Sequence, residues 1–117
     1  MNCISANCRG LGNQPAVREL RGFVKQLDPT LLFVTETKIP GKRVEKLTST
    51  FGFSAAFAMD SDGLSGGLGL FWSSVVTVDI KSFNLHHIDA VVQLRMVLFL
   101  LGGLRAFMEN IVGRTDT

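Results

Sequence analysis

Asn7 and Glu36 are the two side chains of this sequence whose type and position best suit chemistry. Each comes at the end of a short apolar run and is followed by turn or loop residues, Arg9-Gly10 in the first case and Thr37-Lys38 in the second. In α/β folds, the carboxyl ends of neighbouring strands meet at one crevice. An amide and a carboxylate that converge there could share a metal ion through their oxygen atoms. The two positions therefore predict a candidate site at the ends of two adjacent strands.

The sequence around these residues has the pattern of a βαβ unit. Residues 2–7 predict a strand, and residues 9–15 predict a glycine-containing loop. From Pro15 to Leu27 apolar residues recur at helical spacing, with charged residues on the other face. Asp28-Pro29 ends this helix, and residues 31–35 predict a second, buried strand. The two strands should therefore pair in parallel.

Downstream, the pattern changes from alternating strand and helix to a run of strands. A second, shorter helix is expected around residues 44–51, closed by Gly52. Further strands are predicted over 53–59, 67–72, 75–83 and 88–94. The order is βαβα followed by successive strands, which fits an α/β fold with a mixed sheet, an antiparallel second half and helices on the outer faces.

The composition limits the class of protein but does not identify a binding partner. The chain has 117 residues, of which 46% are hydrophobic, and its formal net charge is +2. This length supports one small domain with a core and is too short for two. The mild basic excess permits contact with phosphate-rich partners, but a solvated surface also explains it.

The cysteines and the N-terminus indicate whether the protein is intracellular or secreted. Cys3 and Cys8 lie at opposite ends of the first predicted strand, too far apart for a disulfide, and their spacing fits no zinc pattern. The N-terminus has no basic stretch followed by a long apolar core, so no secretory signal is expected. We therefore expect an intracellular protein that is not secreted, with the nucleus as one open location.

Three other motifs favour structural roles. The glycine-rich segment 63–69 is followed by neither Lys-Ser/Thr nor a helix, so it predicts a tight turn that leads into a strand and not a phosphate loop. The segment Asp60-Ser61-Asp62-Gly63 resembles the start of a calcium loop, but the acidic residue that should end such a loop is missing, which favours a turn. His86-His87 has no helical or cysteine partner in the pattern, which argues against a metal role.

Four ordered segments, residues 2–12, 17–27, 31–38 and 60–72, form a combined pattern. Together they resemble the endonuclease/exonuclease/phosphatase superfamily, and most closely the endonuclease domain of LINE-type retrotransposons of plants. The resemblance covers residues 1–92, which we expect to form a partial domain of this family. Residues 93–117 do not follow the family and are expected to form a divergent tail.

The resemblance implies both a fold and a chemistry. The fold is the N-terminal part of a DNase I-like, four-layer α/β sandwich, and members of the family cut phosphodiester or phosphomonoester bonds with Mg²⁺ or Mn²⁺. By the same resemblance, Glu36 is a metal ligand and Asn7 helps to order the metal and the phosphate, so both would be catalytic. DNA is the implied partner, and Arg9 and Lys38 are candidates for contact with its backbone.

The residues themselves leave other roles open. Asn7 is also suited to form a turn ahead of Arg9 by bonding to its own loop backbone. Glu36 is also suited to cap a helix or to remain a solvated acid. Arg9 and Lys38 are single cations at loop tips, where solvation is the ordinary role.

Three departures from the family argue against catalysis. Ala6 stands where the family commonly has a Trp, and the smaller side chain should leave a cavity beside the site and loosen Asn7. An intact family member is longer, and its later motifs supply a Tyr, further metal ligands and the pair that activates water; this sequence contains no Tyr. The tail is the third departure. We therefore expect a truncated, inactive member of the family; the alternatives are a residual Mg²⁺-dependent endonuclease that nicks DNA and a noncatalytic half-domain that binds nucleic acid or protein.

The divergent tail has alternative interpretations of its own. It could be a frameshifted or mis-spliced continuation of the family sequence. Its uncharged run, residues 96–104, is far shorter than the roughly 20 apolar residues that cross a bilayer, so no membrane span is expected. A buried strand or helix, or an aggregation-prone remnant, fits this run better.

Overall fold

The computed structural model describes residues 2–62, 65–94 and 108–114, the last segment as backbone only. The two helices in this part of the chain are α1 (Gln14–Leu27) and α2 (Gly41–Glu45). The strands are β1 (Cys3–Asn7), β2 (Leu31–Thr35), β3 (Ala55–Met59), β4 (Leu68–Trp72), β5 (Val76–Asn84), β6 (His87–Leu94) and β7 (Met108–Arg114). The uncharged run at 96–104 lies outside the described residues, and so do Gly63 and Leu64.

The first sheet is mixed and has the strand order β1-β2-β4-β3. β1 and β2 pair in parallel, with Asn7 opposite Thr35, which confirms the predicted βαβ unit. β4 is antiparallel to both β2 and β3, as expected for the later strands. The parallel pair therefore brings the residues that follow β1 and β2 to the same end of the sheet.

The later strands form a second, antiparallel sheet with the order β5-β6-β7. β5 and β6 form a hairpin with a bulge between Ile80 and Ser82. β7 lies within the segment that we expected to diverge from the family, and its backbone pairs along β6 from His87 to Gln93.

Burial on both faces of the first sheet explains why the described part of the chain has three layers. β2 is buried along its whole length, so both of its faces need cover. On one face, Leu32 and Val34 pack with residues of α1 and α2 such as Val24 and Val44. On the other face, the side chains of β2 and β4 pack against those of β5 and β6: Leu31, Phe33, Leu68 and Leu70 against Val76, Ile88, Ala90 and Val92.

α1 has clear start and stop signals. The Asn13 Oδ1 atom accepts a hydrogen bond from the Ala16 N–H at 2.9 Å, and Pro15 occupies the first turn. Asp28 ends the helix in the left-handed conformation, with φ of 45°, and its N–H donates to the Val24 carbonyl. The helix predicted from Pro15 to Leu27 is thus confirmed to within one residue at its start.

The second helix differs from the prediction. α2 ends at Glu45, and residues 46–52 form successive turns instead of helix over 44–51. The Thr48 hydroxyl donates to the Glu45 carbonyl at 2.5 Å, and this side-chain bond competes with the helical backbone ladder. The apolar residues of the segment are still buried, since Val44 and Phe51 both belong to the core. Within the described ranges, neither helix has the length and apolar character that a membrane span requires.

Candidate functional site

The loops that follow β1 and β2 run side by side at the carboxyl end of the parallel pair. The Gly10 N–H donates to the Glu36 carbonyl at 2.8 Å, and the Leu11 N–H donates to the Thr37 carbonyl at 2.8 Å. These bonds continue the pairing of the two strands beyond their ends. The backbone positions of the first loop and of Glu36 therefore depend on each other.

A third segment, the glycine pair before β4, closes the site from the other side. The Lys38 N–H donates to the Gly66 carbonyl at 2.8 Å, and the Thr37 N–H donates to the Gly67 carbonyl at 3.4 Å. Gly67 has a φ of +98°, and a Cβ atom placed there would overlap the Thr37 Oγ1 atom. Only glycine satisfies both the backbone angle and the close approach. The glycine-rich segment thus leads into a strand, as predicted, and it also packs directly on the loop that carries Glu36.

Three of the four predicted site residues have left-handed backbone conformations. The φ angles are 52° at Arg9, 54° at Glu36 and 59° at Lys38. Non-glycine residues rarely adopt this region, and such strained positions persist only where the surrounding structure holds them. Here the paired loops and the glycine pair hold them through backbone hydrogen bonds.

Asn7 lies at the end of β1 with an exposed side chain. Its Oδ1 atom accepts a hydrogen bond from the Arg9 N–H at 3.1 Å, which is the turn-forming role that the sequence left open. Asn7 also lines a cavity of about 630 Å³ between β1 and α1. Ala6 lines the same cavity, which agrees with the expectation that a small side chain at position 6 leaves space beside Asn7.

Glu36 lines a different cavity, of about 280 Å³. Asp60, Asp62 and His86 line it too. The structure therefore places the predicted pair Asn7 and Glu36 on adjacent loops but in separate cavities. The sequence pattern did not predict that His86 lines the same cavity as Glu36, because His86 lies in the turn between β5 and β6 and no local signal relates it to the loop after β2.

The carboxylate of Asp60 has a structural partner in this cavity, and Asp62 is held through its backbone. The Asp60 Oδ1 atom accepts a hydrogen bond from the Gly41 N–H at 2.6 Å, so Asp60 holds the first residue of α2. Asp62 and Ser65 exchange two backbone hydrogen bonds, of 2.7 and 3.0 Å. This reciprocal pairing agrees with the turn predicted for the segment.

The donor atoms present do not fit a resident divalent metal ion. Among the described residues, no group of three or more His, Cys, Asp or Glu side chains is arranged to hold one. The Oδ1 atom of Asn7 accepts a hydrogen bond from the Arg9 N–H, and one of the two carboxylate oxygens of Asp60 accepts a hydrogen bond from the Gly41 N–H. Glu36 and Asp62 line the same cavity, and Mg²⁺ held through so few protein ligands depends on substrate phosphates and water for the rest of its shell.

Arg9 and Lys38 are available to an anionic partner. The Arg9 side chain is exposed, whereas the Lys38 side chain is half-buried, with its stem near Gly10. In the described part of the chain, the side-chain ion pair within 4.0 Å joins Lys81 and Asp79, so neither site cation is neutralised by a neighbouring carboxylate.

The cysteines lie beside this region and form no disulfide in the described residues. Cys8 follows Asn7 directly, and its backbone N–H donates to the Thr35 carbonyl at 2.9 Å. Burial raises the pKa of the Cys8 thiol from its ordinary value of 9.0 to about 12. The thiol is therefore neutral at physiological pH, and Cys8 packs against the buried cluster on the helical face of the first sheet.

Comparison with known proteins finds a similar fold but no matching sequence. The sequence matches no family model, and no curated protein matches it in sequence. The structure is similar to the crystal structure of AP endonuclease LMAP from Leishmania major, with a TM-score of 0.60, 12% sequence identity, and coverage of 99% of this chain and 40% of that chain. At this identity the similarity concerns architecture alone. The chain therefore has an α/β fold of the DNase I-like type, similar to the fold of this AP endonuclease. It spans less than half the length of the AP endonuclease chain.

Proposed function

We propose that this chain is the N-terminal part of a metal-dependent phosphodiesterase, a DNA endonuclease related to those of plant LINE-type retrotransposons, and that the 117-residue chain by itself does not cut DNA. The observation that carries the proposal is the position of Glu36. It lies where three loops converge at the carboxyl end of a parallel strand pair, in a fold similar to that of an AP endonuclease. Residues 1–92 would form the endonuclease-like part, with 93–117 as a divergent tail.

In this proposal, Glu36 and Asn7 are the chain's share of a larger site. Glu36 would contribute a carboxylate to Mg²⁺ or Mn²⁺, and Asn7 would contribute an amide that orients the phosphate. Such a metal ion, when bound, polarises a phosphate and lowers the pKa of an attacking water molecule. The rest of the ligands and the base would have to come from residues beyond this set, and the complete fold would then be a four-layer sandwich.

The proposal of inactivity rests on the donor count. Among the described residues, no group of three or more His, Cys, Asp or Glu side chains is arranged to hold Mg²⁺, and the amide oxygen of Asn7 accepts a hydrogen bond within its own loop. Electrostatic stabilisation of the transition state is usually the largest single contribution to catalysis, so a chain without a firmly held metal ion loses most of its rate enhancement. An intracellular location, including the nucleus, would suit a DNA partner.

A plasmid-nicking assay in Mg²⁺ or Mn²⁺ tests the proposal. The chain is compared with Glu36→Ala and with the control Glu45→Ala, which removes an exposed carboxylate on α2 that does not line the Glu36 cavity. We expect equal, background nicking by all three proteins. Nicking that disappears in Glu36→Ala but persists in Glu45→Ala would refute the inactivity and would establish the alternative, a residual metal-dependent endonuclease.

A second candidate is a noncatalytic half-domain that binds nucleic acid. The unneutralised cations Arg9 and Lys38, held at the same edge as Glu36, favour it. In this case the chain binds DNA in EDTA and does not nick it in Mg²⁺. Loss of DNA binding in an Arg9→Gln/Lys38→Gln chain would support this function, and unchanged binding would contradict it.

A further inference from the structure

A third cavity lies on the helical face, between α1 and the segment of α2. Its volume is about 430 Å³, and its apolar part includes Leu11 and Ile39. Its polar lining includes Gln14, Thr50 and two cations, Arg43 and Lys46. Among the described residues that line it there is no Asp or Glu. The cavity is therefore cationic as well as open to solvent.

Arg43 and Lys46 lie on one face of the α2 segment. Arg43 and Lys46 are three positions apart across the end of α2, a spacing that places side chains on the same helical face. Glu45 lies between them in sequence, and neighbours at that spacing do not face each other. Both cations are exposed, and neither forms an ion pair within 4.0 Å with any side chain that the structure describes. Two like charges held together in this way repel each other until an anion binds between them.

The side chains that line the cavity suit a phosphate group. An Arg guanidinium offers paired donors that match phosphate oxygens, and a Lys ammonium adds a point charge. The side chains of Gln14 and Thr50 offer further donors, while the apolar part of the cavity can take the non-polar surface of a sugar. Carboxylate ligands also accept hydrogen bonds from Arg. A carboxylate group, however, brings less negative charge to the two cations than a nucleic-acid backbone does.

The position of the cavity relates it to the candidate site. Leu11 directly follows the loop that carries Arg9, and Ile39 directly follows Lys38. The cations of the site loops and those of the cavity are thus joined by short stretches of chain at the same end of the first sheet. A ligand with regularly spaced phosphates can contact both sets.

We propose that the cavity lined by Arg43 and Lys46 binds a backbone phosphate of duplex DNA beside the Glu36 site. This inference rests on the proposed DNA partner, but it requires no catalysis and no metal ion. It assigns the α2 segment, which carries none of the predicted site residues, to DNA contact. The contact is independent of base sequence because it reads phosphate alone.

Salt-dependent DNA binding in EDTA tests the proposal. The affinity of the full chain for a fluorescent DNA duplex is measured by anisotropy across about 50 to 200 mM salt, and each phosphate contact contributes about 0.9 to the slope of log K against log salt. Arg43→Gln/Lys46→Gln removes the contact with one phosphate and should reduce the slope by about 0.9, which is a salt-induced loss of affinity about 3.5-fold smaller over this range. The control Arg21→Gln/Lys25→Gln removes the same charge from the exposed face of α1 and should leave the slope within about 0.5 of the original.

Each other outcome counts against the proposal. Equal changes in the two double variants would show that net charge alone matters, and an unchanged slope in Arg43→Gln/Lys46→Gln would place no phosphate in the cavity. Absence of duplex binding by the unaltered chain would refute it directly. If inorganic phosphate at constant ionic strength displaces the duplex from the original chain and from Arg43→Gln/Lys46→Gln equally, the cavity is not the contact. Because the assay runs without metal, the result is independent of nicking.

Discussion

Replacing Gly67 with alanine should lower the free energy of unfolding. The size of the decrease tests how closely the site loops pack against Gly67. Gly67 has a φ of +98°, and its added Cβ atom would overlap the Thr37 Oγ1 atom and lie 3.3 Å from the Lys38 backbone nitrogen. The left-handed backbone costs an alanine about 1 kcal/mol. Forcing the buried Thr37 side chain or the loop aside costs about 2 kcal/mol more. We therefore expect the free energy of unfolding to fall by about 3 kcal/mol.

A matched control separates the two contributions. Gly52 also has a positive φ, of +81°, but an added Cβ atom would meet no other atom within 4 Å. Gly52→Ala should therefore show the backbone cost alone, about 1 kcal/mol. In a Thr37→Ala background the overlap with Oγ1 is gone, so Gly67→Ala should cost about 1 to 2 kcal/mol less than it does in the original chain.

Urea denaturation followed by circular dichroism measures these differences through the shift of the midpoint at constant slope. The reasoning is refuted if Gly67→Ala costs no more than Gly52→Ala, or if the Thr37→Ala background leaves the cost unchanged. Either result would mean that the glycine pair and the loop of Glu36 are not in close contact.

Two further predictions concern groups next to the site. Asp60→Ala should lower the free energy of unfolding by about 1 to 2 kcal/mol in urea, because the partly buried Gly41 N–H loses its acceptor. Asp60→Asn keeps an acceptor and should cost less than half as much; equal losses would show that charge, not the hydrogen bond, matters. For Cys8, burial raises the pKa to about 12, so between about pH 9 and 12 the folded chain keeps a proton that the unfolded chain releases, and stability falls as pH rises. Urea midpoints at about pH 8 and pH 10 should show this decline in the original chain and less of it in Cys8→Ala; identical declines would contradict it.

Local patterns were sufficient to predict the elements that bury a regular face. The helical spacing from Val17 to Leu27 and the apolar run from Leu31 to Thr35 predicted α1, β2 and their parallel relation to β1. These predictions succeeded because the periodicity of an element reflects its own burial. The end of α2 was missed, since the hydroxyl of Thr48 competes with the helix in a way that apolar spacing does not reveal.

The candidate site was predictable only in part. The ends of β1 and β2 were correctly placed at one edge, because a parallel pair requires it. The patterns did not reveal that Asn7 and Glu36 line different cavities, or that His86 lines the same cavity as Glu36. Those facts depend on how the hairpin of β5 and β6 packs against the first sheet.

The sequence by itself determined the βαβ start of this protein, the two polar strand ends and the turn character of the glycine-rich segment. Only the tertiary structure decided which side chains share a cavity, which oxygen atoms already have partners and why position 67 must be glycine. The physical reason is the separation in sequence over which each kind of signal acts. Periodicity and turn chemistry act between residues close in sequence, whereas a cavity is made by segments that meet only after the sheets and helices have packed.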